Sequence, residues 1–382
     1  MPKPKAKPRA PLWKGPYEDG VTQSLLGRFL ECRHRFWLKT ICGFAEDEGF
    51  SRPLEFGNMW HVCEEARLGN KSWESALKTY RTKLERAYPN DQTEIFKWFN
   101  VCKTTFPIYL DYWSKHRDEK GSKPILEETS FAVPCKLPSG RIVILRGKWD
   151  ALRLLPPEKS GKPAIYIKEH KTKGEIDEEG LLKTLDQNLQ TMMYQIALRA
   201  CAEAELRPCE GLSQSVLKTY FDAILEHPVC GVLYNVIRRP LADRYAIKQK
   251  KSETQTQFFK RLGEEISKDP KHYFMRWRVE ITEEDITNFK QRTFYPILEQ
   301  LCDWWDSIQS APFDPWHTTV RRIPAANHGA ISIQIDNPHH WQSPWGVHNS
   351  LAGGFRGSYF EYLTTGRDYS LRQITNLFPE LA

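Results

Sequence analysis

The chain has no apolar run long enough to cross a membrane, no CxxC pair, and no repeat at a period of about 20 to 50 residues. A spanning helix needs about 20 consecutive apolar residues, so a membrane is excluded as a partner. Nine cysteines, an odd number scattered from Cys32 to Cys302, indicate neither a zinc knuckle nor a disulfide framework and predict reduced thiols in the cytoplasm. Without a repeat, solenoids and propellers fall away as well. Neither sign of charge is in great excess: 55 Lys and Arg against 48 Asp and Glu leave a net +7, with a pI of about 8.8. That balance suits a polyanionic partner without demanding one.

Aromatics are plentiful, at 12% of 382 residues and including 13 tryptophans, so the chain can bury a sizeable core and is not a disordered one. Residues 1–20, opening MPKPKAKPRAPLWKG, read as a basic, proline-rich flexible tail without the apolar segment of a secretory signal. Residues 21–382 read as one domain, helical over 21–120, built of a sheet and a helix over 121–240, and helical and loop-rich over 241–382.

Thr22 to Ile41 and LEFGNMWHVCEEARLG have helical apolar spacing, the second with an inner face of Trp60 and Val62 or Cys63. From Trp73 to about His116 the pattern is again helical, and Phe96, Phe99, Phe106, Tyr109 and Trp113 form a core stripe on one face. The texture changes near Ile125, where EETSFAVPCKLPSG, RIVILRGKWDALRLL and KPAIYIKEHKT are strands set apart by proline and glycine turn signals. A helix is predicted over Glu178 to Ala204, strands over VLKTYFDAILE and GVLYNVIRRP, and helices beyond Leu241, most clearly from Thr282 to Ser310. Five histidines near the C-terminus (His317, His328, His339, His340 and His348) read as loop residues, because their spacings match no zinc pattern. The order of elements gives an α/β or α+β core decorated at both ends.

Chemistry concentrates in the middle strands. Side chains alternate along a strand, so Glu169 and Lys171 share a face and His170 points away. If the preceding strand folds back on this one around LPPEKSGKP, Asp150 falls within one position of Glu169. Two carboxylates and an ammonium then meet. Hard oxygen ligands of this kind suit Mg²⁺ or Mn²⁺, and a lysine beside them can orient water or stabilise charge developing on a phosphorane. Taken alone, E-x-K equally fits a salt-bridge ladder on a surface hairpin. Gln190 and Tyr194, four apart and so on one helix face, follow in the next helix.

In chain order, Gly57-Asn58-Met59-Trp60-His61, Gly147-Lys148-Trp149-Asp150, Glu169-His170-Lys171 and Gln190 to Tyr194 resemble the G-x-x-x-H, G-x-x-D, E-x-K and Q-x-x-x-Y pattern of the PD-(D/E)xK nuclease superfamily. The resemblance is to its RecB-like branch, which includes CRISPR-associated RecB-like exonucleases and phage recombination exonucleases. It covers residues 22–195, about half the chain. The resemblance implies an α/β, restriction-endonuclease-like core: a mixed central sheet flanked by helices, with helical N- and C-terminal extensions. It implies that Asp150 and Glu169 hold Mg²⁺ or Mn²⁺, helped by the main-chain carbonyl of His170 and by the His61 imidazole. Lys171 would assist the water, and Gln190 and Tyr194 would hold the strand backbone or the lysine. Glu128 would support the site from just outside the ligand set. Arg35 and Lys173, with Gln190 and Tyr194, would border the nucleic acid.

The chain also departs from the branch. Many relatives hold an iron–sulfur cluster on four cysteines; Cys32 resembles the first, but Ser358 and Thr364 stand where cysteines would, and no cysteine follows Cys302. One thiolate cannot hold such a cluster, so none is expected, and packing of Tyr359, Phe360 and Tyr362 on N-terminal aromatics is expected instead. The implied activity is a metal-dependent DNA exonuclease of recombination, repair or mobile-element processing. It would act on duplex ends or single strands, with a helicase or annealing protein as a further partner. Two other readings stand beside it: a nucleic-acid-binding or assembly subunit that keeps the fold but cuts little, and an unrelated α+β protein.

Overall fold

The computed structural model describes residues 12–31, 33–46, 49–157, 161–242 and 246–310, with short segments at 321–324, 331–334, 371–373, 377–378 and 381. Most of the basic tail, Cys32, the five C-terminal histidines, Ser358, Thr364, Tyr359, Phe360 and Tyr362 lie outside the described residues. By contact density the chain divides into two compact units. One comprises residues 1–47, 132–147 and 288–382, and the other residues 48–131 and 148–287.

The second unit carries most of a five-stranded sheet in sequential order: β1 (Lys123–Lys136), β2 (Ile142–Leu155), β3 (Ala164–Lys173), β4 (Val229–Arg238) and β5 (Phe274–Glu280). β2 pairs antiparallel with β3, β3 parallel with β4, and β4 antiparallel with β5, so the sheet is mixed. A parallel neighbour demands a long crossover. The chain supplies one between β3 and β4 with helices Glu178–Thr184, α4 (Leu189–Glu203) and α5 (Gln214–Glu226). β3 is buried on both faces over most of its length, as a strand covered by helices must be.

Against the sheet pack α1 (Arg52–Leu68), α2 (Trp73–Ala87) and α3 (Gln92–Ser114). Their core includes Trp60, Cys63, Phe99, Phe106, Tyr109 and Trp113. Four of the five stripe aromatics of α3 are therefore core, while Phe96 is half-buried against Phe259, and the inner face of α1 uses Cys63, not the half-buried Val62. Cys63 and Cys102 approach to 3.9 Å between sulfurs, and none of the described cysteines is in a disulfide. Gly57 faces β3: a Cβ built on it would lie 3.4 Å from Thr172 Oγ1, so the glycine lets α1 settle closely where His61 follows one turn later.

The other unit is described by its own aromatic core. Trp13 meets Phe36 and Trp305, and Trp304 meets Phe29 and Phe36, all edge to face with ring centroids 5.0–5.8 Å apart. Arg141 beside it pairs with Glu299, Asp303 and Asp306.

Three expectations need correction. VLKTYFDAILE is helix α5, not a strand: Leu217, Tyr220, Ala223 and Ile224 are buried at helical spacing, and Ser213 caps its first turn by accepting the Val216 N–H. The segment beyond Leu241 is not all helical, because Phe274–Glu280 forms β5 between helices Pro270–Tyr273 and Glu283–Phe289. Met275, Trp277 and Val279 alternate there with Arg276, Arg278 and Glu280, a strand pattern, and the segment pairs across from Gly231–Ile237. The single helix over Glu178 to Ala204 is two, broken at a short 3₁₀ turn over Leu185–Gln187. Asn188 starts the second by accepting the Gln190 and Thr191 N–H groups on its Oδ1, both at 3.1 Å. Asn188→Ala is expected to cost about 1 kcal/mol, the worth of an N-cap, seen as a lower urea midpoint with an unchanged slope.

Candidate active site

The β2–β3 register fixes the centre. Ala151 pairs with Lys168 and Leu152 with Ile167, so one step further brings Asp150 opposite Glu169. Residues directly opposite in an antiparallel pair point to the same side. Glu169 is buried at 2% exposure, and Lys171, two residues on, lies 2.6 Å from it. From α4, Gln190 spans the two: it accepts from Lys171 Nζ at 2.9 Å and donates to Glu169 at 2.6 Å. Tyr194, one turn later, packs edge to face on Phe131, and its hydroxyl meets the main chain of Lys148.

His61 comes in from α1. Its Nδ1 lies 3.9 Å from Glu128 and 4.0 Å from Asp150. Among the described residues, His61, Glu128 and Asp150 form the group whose ligand atoms all lie within 4.8 Å of one another. Glu128 thus stands inside this cluster and not outside it. Its backbone is left-handed, with φ of 42°, a conformation that costs a non-glycine residue about 1–2 kcal/mol. Such strain gathers where a side chain must be aimed.

The hydrogen bonds share a pattern. Asp150 Oδ2 accepts the His170 N–H at 2.8 Å, and Oδ1 faces His61. Glu169 receives both Lys171 and Gln190 on Oε1. Glu128 gives Oε2 to Lys148 at 3.1 Å and turns Oε1 to His61. Asp150 and Glu128 thus each tie one oxygen to the protein and turn the other to His61, whereas Glu169 lies outside that group of three.

Electrostatics follow from crowding. Burial raises the Asp150 pKa, and the charge on Glu128 adds to that. Burial likewise raises Glu169, against the pull of Lys171. Burial would lower His61, but Asp150 and Glu128 outweigh it and hold the imidazole at about 9. Lys171 is lifted by Glu169 and Asp150 despite its own burial. Burial is thus the main force against the carboxylate charges, and His61, Lys148 and Lys171 offset it.

His170 contributes main chain to this face. Its ring lies on the other, where Nδ1 accepts from Asn235 at 2.9 Å and burial keeps it neutral. Lys173 is exposed at the end of β3 on the Lys171 side. Arg35 belongs to the other unit and lies 3.8 Å from Glu31. Arg238 is buried and donates to the His272 carbonyl.

A family model for the PD-(D/E)XK nuclease superfamily matches residues 21–305. The chain belongs to this superfamily. A search of curated proteins finds no match. The superfamily's chemistry is metal-dependent hydrolysis of phosphodiesters, and its α/β core is the mixed five-stranded sheet flanked by helices described above. The donor set here, two carboxylates and one imidazole with ligand atoms within 4.8 Å of one another, fits a divalent cation. No described helix is long and apolar enough to cross a membrane.

Proposed function

We propose that this PD-(D/E)XK protein is a DNA exonuclease of the RecB-like branch that uses Mn²⁺ or Mg²⁺ at His61, Asp150 and Glu169, with Glu128 as a further acid and the His170 carbonyl beside them. The observation that carries the reading is the convergence of His61, Glu128 and Asp150, whose ligand atoms lie within 4.8 Å of one another, with Glu169 across from Asp150 on the neighbouring strand. The RecB-like assignment is supported by His61, which enters the cluster from α1 four residues after Gly57. An imidazole in the set favours Mn²⁺ relative to Mg²⁺.

A cation held there would polarise the phosphodiester and acidify the attacking water. The chain's own residues do the rest. Glu169 and Gln190 fix Lys171 and use two of its three donors, so one remains for the water or for a phosphate oxygen. The His170 N–H holds Asp150 in place. Tyr194 and Gln190, both on α4, and exposed Lys173 border the strand that enters, and Arg35 adds a phosphate contact. DNA ends or single strands are the substrate, with a helicase or annealing protein as partner. With no cysteine after Cys302, Cys32 lacks the thiolates an iron–sulfur cluster requires.

End-labelled single- and double-stranded DNA, incubated with the protein in Mn²⁺, Mg²⁺, Ca²⁺ or chelator, tests this. Degradation is expected in Mn²⁺ and Mg²⁺ and none in chelator, with binding but no turnover in Ca²⁺, whose geometry is looser. Salt-sensitive binding without cleavage in any metal would instead establish a binding or assembly subunit. Loss of labelled RNA alone would change the substrate.

A further inference from the structure

Lys148 belongs to no motif position with a role, yet it touches the cluster. It precedes Asp150 by two residues on β2 and so shares its face. Its backbone is pinned from both sides. Trp149 is fully buried and stacks on Phe131 at 4.5 Å, and the Lys148 main chain meets the Tyr194 hydroxyl. The side chain is freer: 23% exposed, with Glu128 as its ion-pair partner. Lys171, by contrast, is held by two groups.

Two facts about Glu128 make the pairing consequential. Its carboxylate stands between two cations, with Lys148 at 3.1 Å on Oε2 and His61 at 3.9 Å on Oε1. And the oxygen that Lys148 takes belongs to the same carboxylate that lies within ligand range of Asp150 and His61. A divalent cation in the cluster and the Lys148 ammonium repel each other. An ammonium on a flexible four-carbon stem gives way more easily than a strand.

We propose that Lys148 exchanges partners: it neutralises Glu128 while the cluster is free of metal and, once a divalent cation binds, turns to a backbone phosphate of the nucleic acid. The inference rests on the nuclease reading and names a positioning residue for it. It makes Lys148 a competitor of the metal and a helper of the substrate, two effects opposite in sign. A purely structural ion pair would do neither.

Calorimetric titration of Mn²⁺ without nucleic acid, and nucleic-acid binding in Ca²⁺ across a salt series, separate these possibilities for Lys148→Met and Lys148→Arg. With the competing charge removed, Lys148→Met is expected to bind Mn²⁺ about tenfold more tightly, the scale of one like charge at close range in a largely buried site whose effective dielectric stays high. Its nucleic-acid affinity should fall, and the salt slope should drop by about one, the signature of a single lost phosphate contact. Lys148→Arg, which keeps the charge, should match wild type in both. Unchanged or weaker Mn²⁺ binding by Lys148→Met would overturn the exchange and leave Lys148 as a prop for Glu128. Should Lys148→Met fail to fold, Lys148→Gln answers the same question. Wild-type protein that binds neither Mn²⁺ nor DNA would overturn the nuclease reading itself and this inference with it.

Discussion

Asp150→Asn is expected to lower cleavage about 10²- to 10³-fold, the loss usual when one charge-stabilising group leaves a catalytic site, without loosening the fold. Asparagine keeps an oxygen to accept the His170 N–H, so the 2.8 Å bond that seats the side chain survives. Only the negative charge goes, and that charge is held there at a cost, since burial and Glu128 both disfavour it. The metal-free variant should therefore unfold at the same urea concentration as wild type or a higher one. Lys171→Ala is expected to lose cleavage to a similar extent but to differ in stability. It strips the partner from a buried Glu169 carboxylate and leaves only Gln190 beside it, so its urea midpoint should fall. Initial rates in Mn²⁺ together with urea curves for both proteins check this. A fully active Asp150→Asn variant would remove Asp150 from the site and with it the proposed chemistry.

What was legible in the sequence was legible for a reason. Apolar runs set apart by proline and glycine turns marked β1, β2 and β3, and the turn between β2 and β3 set their register to within one residue. That was enough to bring Asp150 to Glu169, because antiparallel pairing fixes one residue by its neighbour's position. The Gln190–Tyr194 pair needed only helical spacing. Glu128 was harder. It follows Glu127 directly in β1, and alternation alone cannot say which of two adjacent acids faces the cluster. Its left-handed backbone decides the matter, and no periodicity announces such a residue. Lys148 was hidden for a different reason: its meaning comes from Glu128. The misreadings had simple origins. VLKTYFDAILE is rich in β-branched and aromatic residues, which favour strands, but its apolar positions recur every three to four. Phe274–Glu280 carries a strand signal that was passed over: Met275, Trp277 and Val279 alternate with Arg276, Arg278 and Glu280, and the run pairs with the edge that β4 offers. The break before α4 was signalled by Asn188, a capping residue read as helix interior.

The reverse face of β3 supports the second large effect. Lys168 points away from the site and is buried at 2% exposure among Glu64, Glu119 and Arg276. Glu64, three residues after His61 on α1, bonds Arg67 at 2.9 Å, and Glu119 takes Arg276 at 3.1 Å. Burial, with Arg276 nearby, pulls the Lys168 pKa down to about 8, while Glu64 and Glu119 work against that. Cations outnumber carboxylates here: Arg67, Lys168 and Arg276 against Glu64 and Glu119. Removing a carboxylate strands two buried cations, and Glu64→Ala is expected to cost about 3–5 kcal/mol. Lys168→Met leaves the two remaining pairs balanced and fills similar volume, so it should be neutral or stabilising. The asymmetry is measurable as urea midpoints moving in different directions. It also reaches the site, because Glu64 ties α1 to β3, and α1 carries His61. Glu64→Ala should thus weaken Mn²⁺ binding even where enough protein stays folded to measure it, whereas Lys168→Met should not. Equal losses of stability in the two variants would mean that each ion pair counts for itself and that the excess of positive charge beneath β3 has no bearing on how α1 is held.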